Sequence, residues 1–310
     1  MHIDLPQSKK LSPILGLGFG ILAASTASIF IRFAQEQAPS ITIAALRLLF
    51  ATIILAPVAL LQRHEEIRHF NQKKLVLLLV SGIFLALHFA SWISSLEYTT
   101  VASSVVLVTT SPLWVALISP ILLKESLKKQ ARIGLAIALA GSMVVGLGQS
   151  CQLIDGRMVC EESGQLLSDR VLWGNFLALV GAWCAAGYLI IGRQLRSSVS
   201  LVSYAFIVYG IAALALLGLV AVSGQTISGY SPDVYVWCLL LAIFPQILGH
   251  SSFNWALKYI SANFVSLALL GEPVASVILA VIFLKETPTI LEMVGGITIL
   301  VGIYFASRSD

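Results

Sequence analysis

Long apolar runs separated by short polar gaps fill almost the whole chain. Each run is close to the roughly 20 residues that an α-helix needs to cross the hydrocarbon core of a bilayer. We therefore predict ten transmembrane helices, at residues 13–34, 40–62, 74–96, 100–122, 131–148, 170–192, 200–223, 234–256, 261–284 and 289–307.

The composition indicates an integral membrane protein. Of the 310 residues, 58% are hydrophobic and 11% are charged, whereas soluble domains carry roughly 25% charged residues. A soluble fold of this length could not bury so much apolar surface. The net charge of +4 does not indicate nucleic-acid binding, because the basic residues lie in short gaps and not in a patch interleaved with aromatic side chains.

The sequence repeats itself without gaps when it is shifted by 161 positions. Chance matches between leucines mean little here, but matches of less common residues in one register indicate a true internal repeat. The aligned pairs include Gly20 with Gly181, Arg32 with Arg193, Tyr98 with Tyr259, Pro112 with Pro273, Gly134 with Gly295 and Gly141 with Gly302. "LLKE" at 122–125 also aligns with "FLKE" at 283–286.

Each repeat contains five predicted helices, so the second repeat must enter the membrane from the opposite side. This predicts an all-α integral membrane protein with two inverted five-helix repeats, a common plan of secondary transporters. The repeats cover residues 13–148 and 170–307, with an N-terminal segment at 1–12 and a connecting loop at 149–169.

The distribution of Lys and Arg supports an arrangement with both termini in the cytoplasm, because cytoplasmic loops are enriched in these residues. The predicted inner segments contain Lys9, Lys10, Arg63, Arg68, Lys73, Lys74, Lys124, Lys128, Lys129, Arg132, Arg193, Arg196, Lys258 and Arg308. The outer segments contain Arg32, Arg157, Arg170 and Lys285, and Arg47 lies inside a helix. We expect a multi-pass protein of the plasma membrane, in a bacterium the inner membrane.

The connecting loop contains "CQLIDGRMVC" at 151–160, in which Asp155-Gly156 predicts a two-residue hairpin turn. In that register Cys151 faces Cys160 in a close pair whose Cα atoms are about 4.5 Å apart. This spacing permits a disulfide bond, which would require an oxidising compartment and so an outer location. Two free thiols are the alternative.

Small residues recur every four positions on the fifth predicted helix, at Gly134, Ala138, Ser142 and Gly146. Such stripes let another helix approach closely. Similar spacings occur at Thr298, Gly302 and Ala306, and at Gly16 and Gly20. The partner is either another helix of the same bundle or a second copy of the chain, so we expect a monomer or a homodimer.

Glu272 and Pro273 interrupt an apolar run, and Pro112 is the repeat mate of Pro273. A charge at this depth is costly and is expected to face the bundle interior or water. Each proline leaves a backbone carbonyl without its helical partner, and a wet cavity would satisfy such groups. The two helix breaks therefore predict the wall of a polar cavity, with a kink whose acid is tied to a neighbour as the alternative.

Other polar and aromatic groups lie within the predicted helices. Arg47 either extends outward to the interface, pairs with Glu272, or binds an anionic substrate group. His88 is central in the third helix, where it is either a hydrogen-bonded packing residue or a substrate ligand. Gln246, His250 and Asn254 follow one another at spacings of four and suggest a wet lining. Trp92, Trp114 and Trp183 lie deep and form either aromatic cavity walls or lipid-facing positions.

Motifs for other kinds of chemistry do not appear. No Walker phosphate loop is present, so no ATP-driven step is expected. In "HEEIRH" at 64–69 the histidines are five residues apart instead of four, so they would not share a helix face as zinc ligands. We expect no metal, no cofactor and no enzymatic activity.

Three stretches resemble the EamA family of the drug/metabolite transporter superfamily. They are "AALRLLFATIIL" around Arg47, "SSLEYTTVASSVVLVTTSPLWVALISPILLKE" ending at Glu125, and "ALKYISANFVSLALLGEPVASVILAVIFLKE" ending at Glu286. The resemblance implies ten helices in two inverted units and the movement of solutes, often export of amino acids, related metabolites or amphiphilic compounds. Ser111-Pro112 stands where a Glu-Pro can occur, so the resemblance places one intramembrane glutamate in this chain.

Together these features predict a secondary transporter of small metabolites that works by alternating access around a central cavity. Arg47, His88, Gln246, His250, Asn254 and Glu272, with Trp92, Trp114 and Trp183, are the candidate substrate-binding residues. Proton coupling through Glu272 is a further hypothesis. The alternatives are an intramembrane lipid-modifying enzyme and a membrane scaffold that does not transport.

Overall fold

The computed structural model describes residues 12–99, 104, 107–154, 157–160, 169–284 and 289–307. Helix occurs in each of the ten predicted segments within these ranges. In the first repeat the helices are α1 (Pro13–Ala24), α2 (Ala27–Gln35), α3 (Ser40–Gln62), α4 (His64–Arg68), α5 (Gln72–Tyr98), α6 (Ser111–Leu122) and α7 (Lys129–Ser150).

The second repeat begins with α8 (Asp169–Arg196) and α9 (Leu201–Val222). A continuous helical stretch follows, made of α10 (Pro232–Leu241), a π-helix (Ala242–His250) and α11 (Ser251–Ala256). The remaining helices are α12 (Ala262–Ala268), α13 (Gly271–Leu284) and α14 (Ile290–Ser307). The π-helix contains Pro245, whose missing N–H prevents a regular α-helical hydrogen bond at that point.

Six helical stretches in the described ranges are long and apolar enough to cross a membrane. They are Pro13–Gln35, Ser40–Gln62, Gln72–Tyr98, Asp169–Arg196, Leu201–Val222 and Pro232–Ala256, and Ser111–Leu122 and Met293–Ala306 are shorter apolar helices. Large apolar side chains on their outer surfaces are exposed, for example Leu61, Ile121, Leu214 and Val222. Exposed apolar side chains in this number suit contact with lipid.

The first predicted helix, 13–34, corresponds to the single stretch Pro13–Gln35, which has an irregularity at its centre. It is interrupted at Ser25 and Thr26, between α1 and α2. The hydroxyl of Ser25 donates to the carbonyl of Ile21 at 2.7 Å, and the hydroxyl of Thr26 donates to that of Ala23 at 2.7 Å. The backbone N–H of Ser25 also donates to Ile21 at 2.9 Å, and that of Thr26 donates to Ala23 at 3.4 Å, so at Thr26 the N–H reaches back three residues instead of four.

The connecting loop contains the predicted β-hairpin. Strands β1 (Cys151–Ile154) and β2 (Arg157–Cys160) pair antiparallel, with Cys151 opposite Cys160 and Ile154 opposite Arg157. This register is the one that the sequence predicts. The turn residues Asp155 and Gly156 lie outside the described residues, and the disulfide stays a prediction.

Helix contacts within the bundle follow the internal repeat. α7 packs on α14, and α3 packs on α9, so each of these pairs joins equivalent helices of the two repeats. α5 packs on α8, and the equivalent contact joins the π-helix and α11 to α1. Each main contact between two helices therefore has an equivalent contact between the corresponding helices of the other repeat.

The small-residue stripes pack inside this bundle. A methyl group placed on Gly134 would lie 2.5 Å from the carbonyl oxygen of Gly302, and one on Gly141 would lie 2.7 Å from that of Gly295. Gly16 and Gly20 of α1 likewise contact α11, where a methyl on Gly16 would meet the Trp255 ring. These stripes thus make contacts between helices of one chain, and the expectation of a monomer or a homodimer stays a prediction.

Polar contacts at one end of the bundle join the predicted inner segments, and we call this the basic end (63–74, 123–130, 193–200 and 257–261). Glu125 contacts Arg193 at 2.7 Å and accepts the N–H of Ala262 at 3.2 Å. Glu66 accepts the N–H of Ser200 at 2.7 Å and the hydroxyl of Ser203 at 2.7 Å.

Burial pushes the pKa of Glu66 upward, but the hydrogen bonds from Ser200 and Ser203 and the nearby Arg63 charge outweigh it. The pKa of Glu66 therefore lies below its ordinary value. The contacts of this carboxylate connect the α4 region of the first repeat to the start of α9 in the second.

Contacts at the other end join predicted outer segments, and we call this the opposite end (36–42, 97–99, 169–175 and 223–231). The hydroxyl of Ser231 donates to Gln37 at 2.6 Å, and that of Thr42 donates to the carbonyl of Thr226 at 3.2 Å. Thr99 also donates to Asn175 at 2.8 Å. Within the described residues, predicted inner segments thus contact inner segments at one end, and predicted outer segments contact outer segments at the other.

Candidate substrate site

A cavity of about 90 Å³ lies between the two repeats. Helices α1, α2, α3, α5, α6 and α8, the π-helix, α11, and the α12–α13 region all contribute to its wall. Six pairs of repeat mates line it: Ala24 and Ala185, Ala27 and Tyr188, Trp92 and Phe253, Val108 and Leu269, Thr109 and Leu270, and Ser111 and Glu272. The wall is therefore built from equivalent positions of both repeats.

Both predicted helix breaks lie at this cavity. Pro112 lines it near the start of α6, and Glu272 lines it immediately before Pro273 in α13. The carbonyl of Leu269 accepts the N–H of Glu272 at 2.9 Å. This backbone bond satisfies the carbonyl that the proline frees, so the cavity is not needed to satisfy that group.

Arg47 of α3 is 1% exposed, although it lines the cavity. Its Nε donates to the Oε1 of Gln246 at 2.9 Å, and its Cζ lies 4.1 Å from the centre of the Phe89 ring. The guanidinium is therefore held inside the bundle and does not extend to the interface. Its Nη1 atom is buried and has no hydrogen-bond partner in the described part of the chain.

Arg47 and Glu272 line the same cavity but form no ion pair within 4.0 Å in the structure as described. The first repeat has Ser111 at the position of Glu272, and the second has Val208 at the position of Arg47. The helices that form the wall are thus equivalent between the repeats, but the cation and the acid each come from one repeat alone. An anionic and a cationic or hydrogen-bonding group of a solute could occupy the space between them.

His88, Trp92 and His250 form an aromatic part of the wall. His88 makes a 2.9 Å hydrogen bond through Nδ1 with the carbonyl of Gly181, and its ring stacks on that of Trp92 at 5.9 Å. The ring of His250 lies 6.4 Å from that of His88. The Nε1 atom of Trp92 and the Nδ1 atom of His250 are buried and have no partner among the described residues.

Gln246 and Asn254 are fully buried but do not line the cavity. Gln246 holds Arg47, while the amide of Asn254 donates to the carbonyl of His250 at 2.7 Å and to the hydroxyl of Tyr188. These two amides support side chains of the wall. Of the three predicted polar residues in this stretch, His250 alone reaches the cavity.

Trp114 and Trp183 also lie outside the cavity lining. Their rings make an edge-to-face pair with centres 5.4 Å apart, and Trp183 is 41% exposed on the outer surface. Of the deep tryptophans proposed as wall residues, Trp92 is the one that lines the cavity.

Sequence reasoning missed several wall residues, among them Tyr188, Phe253 and Ser266. For Phe253 the repeat carried a usable signal, because Phe253 is the mate of the candidate Trp92. Ser266 gave no such signal. It lies in α12, where its hydroxyl donates to the carbonyl of Asn263 at 3.0 Å.

Comparison with known proteins places the fold and the family. The sequence profile of the EamA-like transporter family matches residues 11–147 and again residues 172–308. The two matches begin 161 residues apart, which is the offset of the internal repeat.

Similar sequences come from bacteria and archaea. "Uncharacterized transporter YetK" of Bacillus subtilis (strain 168) is 22% identical over 302 residues, covering 96% of this chain and 87% of that protein. An "Uncharacterized transporter" of Archaeoglobus fulgidus is 23% identical over 283 residues, covering 91% and 92%.

A solved structure described as "Crystal structure of protein" superposes with a TM-score of 0.75 at 17% identity, covering 96% of this chain and 98% of that one. At this identity the likeness concerns the fold alone. Together with its apolar helices of membrane length, the two profile matches show a multi-pass membrane protein that belongs to the EamA-like transporter family, within the drug/metabolite transporter superfamily.

Proposed function

We propose that the protein is a secondary transporter of small metabolites, such as amino acids or related amphiphilic compounds. It alternates the access of one central cavity between the two sides of the membrane. The observation that carries this proposal is the cavity between the repeats, whose wall combines six pairs of repeat mates with a buried cation and an acid. A site at the junction of two equivalent units is the arrangement that alternating access requires.

The two repeats are inverted relative to each other in this proposal, and both termini are cytoplasmic. Three features support it: the odd number of predicted helices per repeat, the contacts that exchange with the repeats, and the separation of predicted inner and outer gaps at the two ends. The basic end then faces the cytoplasm, in agreement with the positive-inside rule. In a bacterium this membrane is the inner membrane.

Labelling of single cysteines tests this orientation. Ser228, at the opposite end, and Ser197, at the basic end, are both exposed. In a background without other cysteines, a membrane-impermeant thiol reagent should label Ser228→Cys in intact cells. It should label Ser197→Cys only after the membrane is opened. Labelling of both positions from the same side would contradict the inverted arrangement.

The cavity residues take distinct parts in the proposed cycle. Arg47 provides a fixed positive charge, Glu272 an acid that binds a substrate amine or a proton, and His88 and His250 polar contacts. Trp92 and Phe253 provide apolar walls from equivalent positions of the two repeats. Rocking of one repeat against the other would expose these groups to each side in turn.

Filling the cavity should abolish transport without unfolding the protein. Ala185 of α8 lines the cavity, and Ala185→Phe would place a ring in the space that the solute needs. We expect flux of labelled metabolites into sealed proteoliposomes to fall to the level of liposomes without protein. The assay would screen amino acids and amphiphilic compounds against the wild-type protein first.

A matched control is available on the outer surface. Ala140 of α7 is exposed, so Ala140→Phe makes the same change where lipid accommodates it, and flux should stay at the wild-type level. Both variants should keep a cooperative melting transition. Full flux through a folded Ala185→Phe variant would mean that the solute does not pass through this cavity.

A further inference from the structure

The cavity contains one positive charge, that of Arg47, which forms no ion pair with a described residue, because the acid Glu272 of the same wall lies more than 4.0 Å away. Arg47 is 1% exposed, and its Nε donates a hydrogen bond to the neutral amide of Gln246. Within the described residues no carboxylate lies within 4.0 Å of the guanidinium. A buried cation without an ion-pair partner is unfavourable, so this arrangement favours a ligand that places a negative charge next to the guanidinium.

The guanidinium is also prepared for such a ligand. Gln246 fixes one edge, and the Phe89 ring lies 4.1 Å below Cζ, so the plane of the group is set before anything binds. The Nη1 donor is left buried and without a partner in the structure as described. Planar guanidinium groups bind carboxylates through paired, charge-assisted hydrogen bonds that favour this fixed geometry.

A second donor of the same wall lacks an acceptor. Trp92 lines the cavity, and its Nε1 is buried and has no hydrogen-bond partner among the described residues. Since an indole N–H can only donate, it needs an acceptor, as Arg47 does. Two donors without acceptors in one mostly apolar cavity indicate a ligand with several acceptor oxygens.

Resting on the proposed function above, we propose that the transported solute carries a carboxylate, and that this group binds at Arg47. The apolar body of the solute then lies against the walls formed by Trp92 and Phe253. Arg47 is in this case the residue that selects the class of substrate. Both monocarboxylates and amino acids could bind Arg47 through their carboxylate. Only an amino acid also has an amine, which Glu272 could bind.

Three small molecules that share a propyl chain separate these possibilities. Pentanoate carries the carboxylate alone, norvaline carries the carboxylate and an amine, and butylamine carries the amine alone. Binding is measured as the rise in melting temperature of the purified protein, at matched ionic strength, since a ligand of the folded state stabilises it by mass action. Norvaline should raise the melting temperature, and butylamine should not. A shift with pentanoate as large as that with norvaline identifies the monocarboxylate class, and a larger shift with norvaline identifies amino acids.

Two variants test the part of Arg47. Arg47→Gln removes the charge and should weaken norvaline binding by about tenfold or more, as expected for loss of a charge-assisted pair. Gln246→Glu keeps Arg47 and the side-chain volume but places a carboxylate beside it. This internal carboxylate should compete with the carboxylate of the solute for Arg47 and weaken norvaline binding by a similar factor. Gln246→Glu should also stay folded if Arg47→Gln does not.

Gln225→Glu, which adds the same charge at the opposite end of the bundle, is the matched control and should leave binding unchanged. Butylamine shifts equal to those of norvaline, or undiminished norvaline binding in Gln246→Glu, would overturn the carboxylate assignment. Flux of any solute through proteoliposomes is measured separately. If solutes are transported but carboxylates do not bind, the carboxylate assignment is wrong and the transporter proposal stands. If carboxylates bind but are not transported, the transporter proposal is wrong and the carboxylate assignment stands.

Discussion

Gly302→Ala is expected to destabilise the protein strongly, although it adds a single methyl group. That methyl would lie 2.6 Å from the backbone nitrogen of Ala138 and 2.6 Å from the carbonyl oxygen of Gly134. Backbone atoms of a packed helix cannot move aside as a flexible side chain can, so α7 and α14 would have to separate. Overpacking of a close contact costs about 3 kcal/mol at the upper end of its usual range, and we expect a loss of that size in the free energy of unfolding.

The measurement is the unfolding midpoint of the purified protein in detergent, with two matched controls. Gly18 and Gly218 also lie in helices, and a methyl group on either would meet nothing within 4 Å. Gly18→Ala and Gly218→Ala should leave stability unchanged or raise it by up to about 1 kcal/mol, because alanine is the better helix former. Equal stability of all three variants would show that α7 and α14 do not approach each other as the structure describes.

Glu272→Gln is expected to remove the pH dependence of transport if this acid is the coupling site. Glutamine keeps the shape and the hydrogen-bonding capacity of the protonated acid but cannot gain or lose a proton. In proteoliposomes, the ratio of flux at mildly acidic and neutral pH should become unity in the variant and differ from unity in the wild type. The other titratable or charged groups on the cavity wall are Arg47, His88, Tyr188 and His250, from α3, α5, α8 and the π-helix.

Glu36→Gln serves as the control, since Glu36 is exposed beyond the end of α2 and far from the cavity lining. It should preserve both the flux and its pH response. An unchanged pH response in Glu272→Gln would exclude Glu272 as the coupling group and direct attention to the two histidines. Loss of flux at every pH would instead indicate that the acid binds the solute itself.

The sequence predicted most of the helices, because the length and spacing of apolar runs are set directly by the thickness of the bilayer. It also predicted that Pro112 and Glu272 share a site, since repeat mates occupy equivalent positions in a duplicated fold. The irregularity at Ser25 and Thr26 was missed because hydroxyl groups are tolerated inside membrane helices and do not by themselves end one.

The sequence could not separate the wall of the cavity from its supports. Gln246, His250 and Asn254 follow at equal spacing, yet His250 alone lines the cavity. For the tryptophans the ambiguity has another cause, because lipid and protein interior are similarly apolar in a membrane. Trp183 and Trp92 are therefore alike in sequence, although one is exposed on the outer surface and the other lines the cavity.

The paired composition of the cavity wall bears on how such a chamber could originate. Two identical half-length chains, associated in opposite orientations, would already form a chamber. Its wall would contain the same six pairs of equivalent positions that line the cavity here. In such a dimer every guanidinium or carboxylate on the wall would appear twice, and two like charges in a small apolar chamber repel strongly. Joining the halves into one polypeptide lets them diverge, so that Arg47 faces the chamber where its counterpart is Val208, and Glu272 where its counterpart is Ser111. Divergence of the two halves thus permits a single cation and a single acid to share one compartment.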